Sequence, residues 1–125
     1  MPRSLTLLLA FVAGFALALS ACGGAEDGAA PVSFTGTSGP ALYAQACASC
    51  HGADLHGTDQ GPPFIDAVYR PGHHADAAFL LAVRRGARSH HWNFGNMPRI
   101  EGLSDGQVET IVQYARERQR AEGIE

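Results

Sequence analysis

Apolar positions recur with a helical period most clearly near the C-terminal end of the chain. Val108, Ile111, Val112 and Ala115 stand at i, i+3, i+4 and i+7. Ser104 precedes this stripe as an N-cap and Gln107 lies three residues on, the spacing of a capping box; Leu103 and Val108 are spaced as a hydrophobic staple. The pattern predicts a helix from that cap to about Arg120. A second helix is expected over residues 76–85, with Phe79, Leu80 and Val83 on its apolar face, Arg84 and Arg85 at its negative end and Gly86 as a stop. A third is expected over residues 40–50, where Pro40 suits the first turn. The segments between are rich in Gly, Pro, His and Asn and read as loops. No run alternates convincingly as a strand, and no internal repeat is present. The expected fold class is therefore all-α, with three main helices.

The start of the chain follows a different rule. Residues 5–19 are apolar or small throughout, behind a single positive charge at Arg3. That run is too short for an ordinary transmembrane helix and fits the apolar core of a secretion signal. It ends in Leu19-Ser20-Ala21-Cys22, which resembles the lipobox of bacterial lipoproteins. The resemblance implies cleavage before Cys22 and lipid on that residue. Ordinary cleavage leaving a free Cys22, or an uncleaved anchor, is the alternative. The division expected is a signal peptide over residues 1–21, a tether over 22–38 and a folded domain over 39–125. The tether is rich in Gly, Ala, Ser and Thr, without helical or strand periodicity. Such a chain would sit on the periplasmic side of the bacterial cell envelope, held to a membrane by its lipid.

Composition narrows the function classes. The nine basic residues are all arginine, against 12 acidic residues, for a net charge of −3. Nothing there suits a nucleic-acid backbone, which calls for a basic patch. A folded domain under 90 residues is small for a core without help.

The decisive chemistry lies in Cys47-Ala48-Ser49-Cys50-His51. A Cys-x-x-Cys-His run is the attachment signature of c-type haem. Two thiols three apart on a helical turn lie on nearly the same face, so both can form thioethers to the haem vinyl groups, and the next residue offers imidazole to the iron. A thioredoxin-type redox pair is the competing reading, but it expects a βαβ setting. Zinc would need further thiolates or histidines at finger spacing.

The surroundings extend the motif. The run from Gly39 to Gly52, then Gly61-Pro62-Pro63-Phe64, Met97-Pro98 and Leu103-Ser104-Asp105 up to Tyr114, resembles the class I cytochrome c family. The resemblance implies a cytochrome c fold wrapped around one covalent haem c, with the first and last helices crossing near a right angle. Gly39 and Tyr43 would meet Ile111 and Tyr114 at that crossing. It implies that His51 donates a hydrogen bond to the carbonyl of Pro62, and that Arg70 lies near a haem propionate. Trp92 or Tyr69 could also donate to a propionate.

Met97 is the one methionine besides Met1, and it stands in a loop before Pro98. It is the expected second axial ligand opposite His51, with packing as the bland alternative. His90-His91 lies close to Met97 and is the competing ligand source. The pairs His73-His74 and His90-His91 read first as solvated loop residues, because adjacent histidines usually point apart. A second metal such as copper is the sharper alternative, since imidazole suits it.

The function expected is that of an electron carrier and not an enzyme: a monomer meeting redox protein partners transiently. A haem-bearing subunit of a larger membrane oxidoreductase is the alternative, with a haem peroxidase or a metal sensor behind it. The family often docks through a ring of lysines. This chain has none, and Arg84, Arg85, Arg88 and Arg99 are the nearby substitutes.

Overall fold

The computed structural model describes residues 32–125. The signal segment, Cys22 and most of the expected tether lie outside the described residues.

Four α-helices occur among the described residues: α1 (Gly39–Ala46), α2 (Ala48–His51), α3 (Asp76–Arg85) and α4 (Asp105–Ala121). A 3₁₀ turn, Ala67–Tyr69, stands between α2 and α3. No strand is formed among these residues; the one β-type contact is an isolated antiparallel bridge between Ala87 and Met97. The expected all-α class is what the chain adopts.

Helix α4 organises the rest. Both halves of the capping box form: Gln107 N donates to Ser104 Oγ, and Ser104 N donates to Gln107 Oε1. Its stripe of Val108, Ile111, Val112 and Ala115 is buried. Helices α1 and α3 both pack against it. The approach of α1 is very close at Gly39, where a Cβ would fall 2.5 Å from Tyr114 Cβ and 2.8 Å from the Thr110 carbonyl oxygen. Only a residue without a side chain fits there. One turn on, the Tyr43 and Tyr114 rings pack at 5.6 Å.

Two boundaries differ from the sequence expectation. The helix expected over residues 40–50 is interrupted at Cys47, whose φ of −124° leaves the helical region. A tight turn follows, with Cys50 N and His51 N both donating to Cys47 O. The expected tether also ends earlier than residue 38. Phe34 is half-buried against the core, its carbonyl accepts from Gln107 Nε2 at 3.1 Å, and Gln45 Nε2 donates to Thr35 O at 2.7 Å. The aromatic ring supplies apolar area, and two side-chain amides satisfy the adjoining backbone, so this stretch docks without regular structure.

No helix among the described residues is long and apolar enough to cross a membrane.

Candidate haem site

The break at Cys47 and the turn after it set up the site. Cys47 and His51 are both buried, while Cys50 is exposed. Burial pushes the Cys47 thiol up to about 12, with Cys50 adding to the shift. Cys47 is therefore a neutral thiol. A thioredoxin-type pair expects a βαβ setting, and no strand forms among the described residues.

The chain after His51 folds back on the turn. Gly57 N donates to His51 O at 2.8 Å, and Thr58 Oγ1 donates to Cys50 O at 2.7 Å. Tyr43 clamps the same region, its hydroxyl donating to Gly52 O at 2.6 Å. The fold-back carries Pro62 to His51, where Nδ1 donates to the Pro62 carbonyl at 2.9 Å. That bond fixes the tautomer and leaves the Nε2 lone pair for a metal. Burial moves His51 below the ordinary imidazole range, against the opposing pull of the Pro62 bond. The ring is thus neutral near pH 7, and Phe64 stacks on it at 4.1 Å.

His51 and Cys47 face a cleft of about 310 Å³ bounded mainly by apolar side chains, among them Phe64, Phe79, Val83 and Ile111. Met97 enters the same cleft from the connection between α3 and α4. Its backbone is pinned there: Ala87 N donates to Met97 O at 3.0 Å, and Met97 N donates to Ala87 O at 2.9 Å. Gly86 permits the contact. Its φ is +76°, and a Cβ on it would lie 2.5 Å from Met97 O. Tyr69 and Trp92 also line the cleft and stack on each other at 5.7 Å with ring planes 9° apart. Burial raises Tyr69 to about 12, with Asp66 as the lesser cause, so its hydroxyl stays a donor.

Cys47, His51, Pro62 and Met97 are thus brought to one cleft. Arg70 is not among its lining residues: it is exposed, and its guanidinium donates to Ala67 O in its own turn at 3.1 Å. Two residues of α4 that sequence reasoning passed over hold the cleft wall. Arg116 is buried, donates to the carbonyls of Tyr69 and His74, pairs with Asp76 at 2.7 Å, and lies over the Phe79 ring. Gln119 is buried and donates to Phe64 O at 2.8 Å. A signal for both exists, since they continue the stripe four residues after Val112 and Ala115.

The donor set suits one group. A neutral thiol and a neutral imidazole come from a single turn, a thioether comes from another element, and all three border a cleft with apolar walls. That is the chemistry of a covalently attached, axially ligated porphyrin iron, and it defines the class as a c-type haem protein. The cytochrome c family model matches residues 37–118, and the chain belongs to the cytochrome c family. No curated protein and no solved structure matches it. Its cofactor is haem c, covalently bound, with Cys47 and Cys50 at the attachment spacing. A domain of this family typically serves as an electron carrier and not as an enzyme.

Proposed function

We propose that this chain is a one-electron carrier whose haem iron is held between His51 and Met97. The observation that carries the reading is that these two side chains, from separate elements, border the same apolar cleft. Haem supplies the redox couple. The residues of the chain tune and guard it. His51 is oriented and made more electron-donating by its bond to Pro62. The Met97 thioether favours the reduced metal and raises the potential. The apolar walls exclude water, and a filled coordination sphere leaves no position for substrate chemistry. Leu81 and Phe94 are exposed beside the cleft and suit a small, transient contact with a redox protein. Arg84 is engaged with Asp105 and Arg99 with Glu101. Of the arginines suggested for docking, Arg88 is the one that lines the cleft.

The test is the midpoint potential of Met97→Ala. We expect a fall that is a substantial part of the roughly 0.8 V over which axial ligands set haem potentials, together with new affinity for exogenous ligands. An unchanged potential and spectrum would remove Met97 from the iron.

The carrier is further proposed to work on the periplasmic side of the cell envelope, anchored through lipid on Cys22, because the Leu19-Ser20-Ala21-Cys22 run closes an apolar leader. Fatty-acid labelling of the chain that disappears in Cys22→Ala is the expected result. Labelling of neither form would refute the anchor.

A further inference from the structure

The two histidine pairs, far apart in sequence, meet in the fold. His73 Nε2 lies 3.2 Å from His91 Nε2, and His74 Nε2 lies 3.3 Å from His90 Nε2. Each contact joins one member of the first pair to one of the second, so the rings meet one another, while His73, His90 and His91 stay exposed as expected of loop histidines. The nitrogens of His73, His74 and His91 all lie within 4.8 Å of one another.

Backbone contacts fix the tautomers of two of these rings. His74 Nδ1 lies 2.8 Å from the Val68 carbonyl, and His90 Nδ1 lies 2.7 Å from the Arg88 carbonyl. A carbonyl oxygen only accepts, so both Nδ1 atoms carry the hydrogen. In the neutral rings the two Nε2 atoms are then both lone-pair donors, and they face each other at 3.3 Å. Two lone pairs do not attract. Something positive belongs between them: either an extra proton or a metal cation. Oriented imidazoles with Nδ1–H on a backbone carbonyl are also how proteins prepare histidine ligands.

The spacing favours a particular geometry. A tetrahedron of Zn–N bonds of about 2.0–2.1 Å has edges of about 3.3–3.4 Å. The His73–His91 and His74–His90 separations each match one edge of such a figure, and the nitrogens that lie mutually within 4.8 Å are those of His73, His74 and His91. Copper(II) prefers a tetragonal arrangement, whose adjacent nitrogens lie closer together.

We propose that His73, His74 and His91 hold a divalent cation of zinc type, distinct from the haem iron, with His90, which lies against His74, completing a tetrahedral set. The site joins the segment after the 3₁₀ turn to the loop that leads to Met97. His74, His90 and His91 also border the cleft, so a metal there ties the two segments of the wall together.

The experiment uses the full-length haem-loaded protein and Zn²⁺ alone. After dialysis against zinc with a competing chelator, we expect one zinc per chain, with a zinc K-edge absorption spectrum showing a shell of four nitrogens at about 2.0 Å. His73 is exposed and lies outside the cleft lining. His73→Ala should weaken zinc binding by roughly 100-fold or more while the haem spectrum stays unchanged. The double variant His73→Ala/His91→Ala should retain none. A wild-type protein that holds no zinc overturns the proposal. Equal zinc retention by wild type and His73→Ala overturns it as well.

Discussion

A single buried cation, Arg116, shows how far one residue can organise this molecule. Its guanidinium satisfies the carbonyls of Tyr69 and His74, pairs with Asp76 and covers Phe79, all on the side of the cleft that carries the 3₁₀ turn. Without it Tyr69 O keeps Gln119 Nε2 as a donor at 3.3 Å, but His74 O and the buried Gln119 Oε1 lose theirs, at a cost of about 1–3 kcal/mol each. Asp76 is half-exposed, so losing that ion pair adds little. Arg116→Ala should therefore destabilise the haem-loaded protein by on the order of 2–4 kcal/mol, read from its denaturant midpoint. A change under about 0.5 kcal/mol, typical of surface sites, would contradict the role. The contrast with Arg70 is instructive. The family resemblance implies Arg70 near a haem propionate; its guanidinium donates to Ala67 O in its own turn, while an arginine on the apolar stripe of α4 is the one that is buried. Charge type alone did not reveal this, because a helix period says which face a residue occupies and not which partners wait there.

At the scale of elements, helix periodicity and capping were the most readable features. The bounds of α3 and the cap of α4 follow directly from apolar spacing and from Ser104 and Gln107. The break at Cys47 was not legible. Its residues are ordinary helix formers, and the departure comes from tertiary packing that buries Cys47 and His51 while Tyr43 holds Gly52. Docking of Phe34 escaped detection for a similar reason, since a lone aromatic in a Gly- and Ser-rich run carries no period. The α1–α4 crossing does carry a sharp prediction. Gly39→Ala would place a methyl group 2.5 Å from Tyr114 Cβ and 2.8 Å from a backbone oxygen. Neither is the far end of a flexible side chain, so a helix must shift. The expected cost is about 1–3 kcal/mol. Each kcal/mol should appear as a fall in Tm of roughly 4–8 °C for a domain of this size. An unchanged Tm would mean that the helices are not held as closely as described.

For the molecule as a whole, the fold and the site are one arrangement. The helices bury a hydrophobic core and leave beside it an apolar cleft bordered by Cys47, His51 and Met97. Haem c in that space would add apolar contact to the core of a small domain. The attachment turn was plain in the sequence because the Cys-x-x-Cys-His spacing is itself the chemistry. The meeting of the histidine pairs was not, because it depends on the loop after the 3₁₀ turn and the loop before Met97 folding to the same edge of the cleft. The central claim, a closed His51/Met97 iron that only passes electrons, is tested most directly by the absorption spectrum of the ferric full-length protein. The account predicts low-spin iron with a methionine-to-iron charge-transfer band and slow reaction with cyanide. A high-spin spectrum with rapid cyanide binding would contradict it, since the iron would then have an open position and the protein would be equipped for catalysis.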